Sequence, residues 1–335
     1  MSIHKSEKIG KISSKIIQNV LLNHIGLESF MGNEQETVRR TDLAIEVRES
    51  FPQDSVEVSG VRLDKHSLAE DSIHITSVEI MDEHGARQMG KPKGNYITLE
   101  FEEETQVPEE TWRECLKQEI GRTIKQLVKQ GKKKSPKKCY FVTGLGNRFA
   151  TPDALGPYVV EHIAVNRHIS DENQEEASVC AVVPGVMAQT GLESGEIISG
   201  VIDTVKPDVL IVIDALATCS IKRLCRTIQI TDTGISPGAG IGNHRFQLNE
   251  ETMGVPVIAI GVPTVVEANT IVLETMEEVL QRENFKEEEI QLFLQGISKQ
   301  PMNNLFVTPK DIEAQIRDIG DIIAQGINYF TMELS

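Results

Sequence analysis

The stretch CYFVTGLGNRFATPDALGP, residues 139–157, constrains this chain more than any other. An apolar run, Tyr140 to Thr143, stops at the small-residue turn Gly144-Leu145-Gly146-Asn147. A short polar loop then carries Asp153, and the apolar pattern that resumes after Pro157 reads as a helix. Strand, tight turn, loop carboxylate and helix in that order put an acid at the carboxyl end of a buried strand. Open α/β sheets place their ligands and chemistry there.

A second run, DVLIVIDALATCS at residues 208–220, repeats the arrangement. Five apolar residues, Val209 to Ile213, predict a buried strand, and Asp214 follows at once. Asp after a strand also caps helices, so either acid alone has a purely structural explanation. Both acids are followed by Ala-Leu, and their recurrence favours chemistry. Two carboxylates held close do not both ionise readily. Such a pair can activate water with one member and protonate a carbonyl or leaving amine with the other. The same oxygens can instead hold a metal, with His162 or His244 as further ligands.

Around these runs the chain alternates strand and helix. Apolar runs at 139–143, 179–183, 209–213, 227–230 and 257–262 interleave with helical patterns at 157–166, 191–205 and 264–282. That grammar predicts an α/β fold with a mainly parallel sheet flanked by helices. Upstream, RTDLAIEVRE, SVEVSGVRL, IHITSVEIMD and NYITLEFEEE alternate with period two and predict an N-terminal β-rich extension of antiparallel strands. A helix over 111–130 and an amphipathic helix over 311–329 follow from their periodicity. The acidic stretch 274–289 reads as a solvated helix face, and the lysines at 129–134 as a helix end and loop. Residues 1–40 carry an amphipathic helical pattern that dissolves near Gly32, either a docked helix or a removable segment.

Composition narrows the partners. The 335 residues carry a net charge of −16, which argues against a general nucleic-acid binder. Aromatics are only 4%, so aliphatic side chains must fill the core. No run approaches a membrane span, no secretory signal is evident, and five cysteines without CxxC spacing suit a reduced, intracellular protein.

The glycine-rich stretches fit poorly with phosphate binding. TGLGN lacks the third glycine of a dinucleotide turn, and TDTGISPGAGIGN, residues 231–243, lacks Gly-Lys-Ser/Thr. A nucleotide-binding regulatory protein is therefore the rival reading from another class. Candidate substrate-binding or supporting residues are Gly144, Gly146, Asn147, Gln189, Thr190, Glu193 and Asp232.

Taken in order, TGLGN…TPDALGP, PGVMAQTGLES, IDALA and TDTGISPGAGIGN resemble the bacterial spore germination proteases. The resemblance implies a cytoplasmic endopeptidase of the spore core that degrades small acid-soluble spore proteins, made as a zymogen and assembled as a homotetramer. It implies no cofactor, no direct nucleic-acid partner and no membrane association. By motif its proposed catalytic aspartates fall on Asp153 and Asp214. Family substrates are cut in Thr-Glu-(Phe/Ile)-Ala segments after the acid. Thr41-Asp42-Leu43-Ala44 matches that pattern, which makes Asp42–Leu43 the expected self-processing bond. The implied division is a propeptide over 1–42, a β-rich extension over 43–110 and an α/β catalytic core over 111–335. The fold is also similar to that of hydrogenase maturation proteases, which keeps a metal-dependent peptidase as an alternative.

Overall fold

The computed structural model describes residues 41–51, 58–102, 107–129, 138–169, 177–236, 246–286, 289–290, 293–294 and 305–334. The expected leader helix, the lysines at 132–134 and residues 237–245 with His244 lie outside them.

Two compact units divide the chain: one gathers Arg40–Glu267 with Phe306–Ser335, and the other includes Ala268–Leu305. The large unit contains a nine-stranded sheet among the described residues. Its elements in order are α1 (Ala44–Glu49), β1 (Val61–Leu68), β2 (Ile73–Ile80), α2 (Glu83–Met89), β3 (Gly94–Phe101), α3 (Glu109–Lys129), β4 (Cys139–Gly144) and α4 (Leu155–Glu161). There follow β5 (Ser178–Val182), α5 (Met187–Thr190), α6 (Ser194–Val205), β6 (Val209–Thr218), β7 (Thr227–Thr231), α7 (Glu250–Met253) and β8 (Val257–Glu267). The helix α8 (Ala268–Arg282) belongs to the small unit, and β9 (Phe306–Val307) and α9 (Ile312–Tyr329) return to the large one.

Strand order is β1-β2-β3-β7-β8-β6-β4-β5, with β9 on β8. The α/β class holds. The sheet is mixed: β8, β6, β4 and β5 run parallel, while β1, β2, β3 and β7 join antiparallel and continue the same sheet. The direction of β7 follows from its place between β3 and β8, to both of which it pairs antiparallel.

Period-two alternation along β6 sorts its residues between two cores. Val209, Ile211 and Ile213 face a layer built from α3, α4 and α9, where Trp112, Ile120, Ile316 and Ile323 are buried. Leu210 and Val212 face the opposite side, covered by Ile198 and Ile202 of α6 and Met253 of α7. Burial on both faces explains the unbroken apolar run. In the small unit, Leu273 and Leu280 of α8 pack with Ile290 and Leu294, while Met276 and Val279 stay exposed.

Several expected elements change, among them these. RTDLAIEVRE was expected as a strand, but its central residues form α1, because Glu46 is drawn onto the end of β6 by hydrogen bonds from Thr218 Oγ1 and the Cys219 amide. The helix expected from 264 begins at Ala268, because Thr264-Val265-Val266 extends β8 alongside β6 and β9. The strand expected to end at Ile213 continues to Thr218 for the same reason.

Candidate active site

The connections of the parallel strands locate the site before any side chain is considered. From β4 the chain crosses to β5 on one side; from β6 it goes on to β8 on the other. The crevice beyond the carboxyl ends of β4 and β6 is therefore the topological switch point, the usual ligand position in such sheets.

Asp153 and Asp214 both arrive there. The ladder between β4 and β6 ends with Gly144 opposite Ile213, and the Leu145 amide reaches the Ile213 carbonyl at 2.8 Å. The residue after Ile213 is Asp214, so the GLGN turn leaves β4 directly beside it. Asp214 lies inside β6 yet beyond the last residue of β4, on the face shared with Leu210 and Val212, and is 9% exposed. Its Oδ1 accepts the Ala215 amide at 2.9 Å. The strand runs on past it, so it caps no following helix.

Asp153 closes a 3₁₀ turn, Thr151–Asp153, and folds back on the GLGN turn. Its Oδ2 accepts the Asn147 amide at 2.8 Å. The next helix, α4, has Ala154 at its N-cap, without a side-chain capping bond, so capping is not the role of Asp153 either. Two glycines make this approach possible. A Cβ on Gly144 would lie 2.0 Å from the Gly156 carbonyl oxygen, where the start of α4 presses on the strand end. Gly146 has φ +107°, and a Cβ there would lie 2.1 Å from the Asp153 carbonyl and 2.9 Å from its Oδ1.

The supporting residues separate into two groups. Asn147 Oδ1 accepts Gln189 Nε2 at 2.8 Å and the Phe149 amide at 3.0 Å, so Gly144, Gly146, Asn147 and Gln189 all shape the Asp153 loop. The other three do local structural work. Thr190 Oγ1 closes the loop after α5 through Val186 and Leu192, Glu193 forms a capping box with Glu196, and Asp232 holds Asn95 by both its amides. His162 donates Nδ1–H to the Tyr158 carbonyl and stacks on the Tyr158 ring. Among the described residues no three His, Cys, Asp or Glu side chains converge as a metal cluster.

The expected processing segment lies in the same unit. Leu43 and Ala44 are fully buried, and Leu43 packs with Ile45, Leu216 and Ile235. The Asp42 amide donates to the Ala217 carbonyl at 3.0 Å, while Asp42 Oδ2 accepts the Ala217 amide at 2.8 Å. Lys91 Nζ and Gln229 Nε2 both donate to the Asp42 carbonyl oxygen, at 2.9 and 3.3 Å. Desolvation pushes the Lys91 pKa down, against the opposing pull of Asp42 and then Glu46. Nothing local in the sequence links Lys91 to Gln229: they stand 138 positions apart, and the pairing of β3 with β7 brings the loop before β3, which carries Lys91, close to the strand of Gln229.

Fold and site together define an α/β protein with two carboxylates at the switch point of its parallel strands, an arrangement suited to acid–base hydrolysis. The model of the germination protease family matches residues 37–291. The germination protease of Caldanaerobacter subterraneus subsp. tengcongensis is 42% identical over 310 residues, covering 86% of this chain and 93% of that one. That of Clostridium perfringens strain ATCC 13124 is 39% identical over 310 residues, covering 86% and 94%. That of Bacillus cereus strain AH187 is 38% identical over 346 residues, covering 86% and 92%. The chain belongs to the germination protease family, and is a peptidase acting in spore germination.

Proposed function

We propose that the chain is an endopeptidase that cuts small acid-soluble spore proteins after an acidic residue, using Asp153 and Asp214 as its acid–base pair. The observation that supports this reading best is the convergence of both aspartates on the crevice between β4 and β6. One ionised carboxylate takes a proton from water as it attacks the peptide carbonyl, and the protonated partner supplies the proton needed by the leaving amine. Exposed Phe149, Met187 and Leu192, on the loop of Asn147 and on or just after the short helix of Gln189, offer apolar surface to an extended substrate.

In this reading residues 1–42 are a propeptide removed by self-cleavage at Asp42–Leu43. Residues 43–110 extend the protease and 111–335 form its catalytic core, working as a homotetramer in the spore core without a cofactor. The rival nucleotide reading is weakened by one bond. The Asn147 amide of the GLGN turn, which a phosphate would need, is given to the Asp153 carboxylate.

Incubation of the trimmed protein with a peptide containing Thr-Glu-Phe-Ala, with and without a chelator, tests the proposal. Cleavage after Glu that ignores the chelator is expected. Loss of cleavage restored by a divalent metal would instead favour the metal-dependent alternative. Terminal sequencing of the active protein is expected to begin at Leu43, and an active species still carrying Met1 would contradict the zymogen reading.

A further inference from the structure

The carbonyl of one particular peptide bond in this protein is held by two side-chain donors. The bond is Asp42–Leu43, and its oxygen receives Lys91 Nζ at 2.9 Å and Gln229 Nε2 at 3.3 Å. The rest of the bond is fixed as tightly. On the leaving side, the Leu43 amide donates to Thr41 Oγ1 at 2.9 Å, and that hydroxyl donates to Glu46. The Ala44 amide donates to Gln229 Oε1 at 2.7 Å, so one glutamine spans both sides of the bond.

We infer that Lys91 and Gln229 are the carbonyl-polarising residues of the self-cleavage step, an oxyanion site already occupied by the precursor's own Asp42–Leu43 bond. The inference rests on the reading of that bond as the processing site.

Sheet register supports the placement. Gln229 pairs with Gly261, and Gly261 pairs with Asp214, so the three lie in one row across β7, β8 and β6 and share one face. Two inter-strand spacings separate Gln229 from Asp214, about 10 Å between Cα atoms. The residue between them has no side chain, and Leu216 leans over it. The Gln229 amide thus brings the Asp42 carbonyl onto the face that carries the proposed acid.

The chemistry balances without an external reagent. Water adds to the Asp42 carbonyl carbon and gives one proton to the ionised carboxylate of the pair. The carbonyl oxygen takes up negative charge, held by the N–H groups of Lys91 and Gln229. Collapse re-forms the carbonyl and breaks the carbon–nitrogen bond, and the pair passes a proton to the Leu43 nitrogen. The products are the Asp42 carboxylic acid and the Leu43 amine, and nothing is oxidised or reduced.

The arrangement also accounts for the residue types of the segment. The acid at 42 accepts the Ala217 amide, the threonine at 41 bridges the leaving amide to Glu46, and Leu43 and Ala44 are fully buried, which leaves Ala44 no room to enlarge.

The test follows conversion of the full-length chain to the Leu43 form by mass spectrometry, for the unaltered protein, Lys91→Met, Lys91→Arg and Gln229→Glu. Loss of one donor of this kind slows a reaction by about 10²–10³. Lys91→Met is expected to slow conversion to that extent and Lys91→Arg to restore much of it. Gln229→Glu keeps the acceptor for Ala44 and removes the donor, and is expected to slow conversion about tenfold or more. Conversion of Lys91→Met at the parent rate or faster would overturn the inference, since it would make Lys91 a clamp on the bond. Were Lys91→Met to misfold, an unchanged rate in Gln229→Glu would overturn it equally. If the unaltered chain is never cut at this bond, the processing reading falls and takes the inference with it. If it is cut and the variants match it, only the inference falls.

Discussion

The Leu145 amide hydrogen-bonds the Ile213 carbonyl at 2.8 Å, and this bond joins the two halves of the site. It carries the β4–β6 ladder one residue beyond Gly144, so the turn that positions Asp153 leaves the sheet beside Asp214. The site therefore inherits its geometry from backbone pairing, and changes to the turn should register as changes in catalysis.

Gly146 is where that dependence is sharpest. Gly146→Ala would place a methyl 2.1 Å from the Asp153 carbonyl in a φ +107° backbone, so the loop must shift. We expect kcat/KM on a Thr-Glu-Phe-Ala peptide to fall at least 10²-fold and stability to drop by about 1–3 kcal/mol. Gly191→Ala is the control: φ is +73°, with nothing within 4 Å of the added methyl. It should lower the melting temperature slightly and leave kcat/KM near the parent value.

Much of this corner was legible in the sequence, because buried parallel strands write themselves as continuous apolar runs. Val209–Ile213 and the acid after it, and Tyr140–Thr143 and the glycines after it, are such cases. The segment around α1 was not legible. Leu43, Ile45 and Val47 alternate as a strand would, but six residues are too few to separate a period of 2 from 3.6. Contacts from Thr218, Cys219 and Gln229, all far away in the chain, decide it. The pairing direction of β7 and the meeting of Lys91 with Gln229 are likewise products of topology that leave no local mark.

Arg223 should matter to stability through an equally distant set of partners. It donates to Glu100 at 2.7 Å and to both oxygens of Glu49, and lies 3.5 Å from Glu46, whose side chain is 1% exposed. Desolvation pulls its pKa down, but Glu49 and Glu100 outweigh that and raise it. Arg223→Met takes the guanidinium away from Glu46, which keeps its hydrogen bonds from Thr41, Thr218 and Cys219. The half-exposed Glu49 and Glu100 are screened, so we expect a loss of about 2 kcal/mol rather than the full cost of breaking a buried pair. Urea unfolding at constant pH measures it.

Cys139 gives a pH signature unconnected with the aspartates. Its hydrogen bond with Cys180 is the main cause that lowers its pKa to about 7, while the same contact raises that of Cys180. Alkylation of Cys139 should accelerate as pH rises from 6 to 8, ahead of the buried Cys225, whose thiol burial pushes up to about 12. The sign for folding follows from the depressed value. Stability from this thiolate is fully present above the unfolded pKa and is lost as pH falls through about 7. Peptide mapping after a brief iodoacetamide pulse at each pH reads the first effect, and Cys180→Ala should slow it.

The central claim is that Asp153 and Asp214 act as one unit. The measurement that tests it most directly is kcat/KM on a Thr-Glu-Phe-Ala peptide for Asp153→Asn, Asp214→Asn and the double variant, each prepared as the form beginning at Leu43 and checked for folding. Groups that act together lose nearly all their effect when either is removed. Each single variant should therefore fall by about 10³-fold or more, and the double variant should fall no further. Full activity in either single variant, or losses that multiply in the double, would contradict the account.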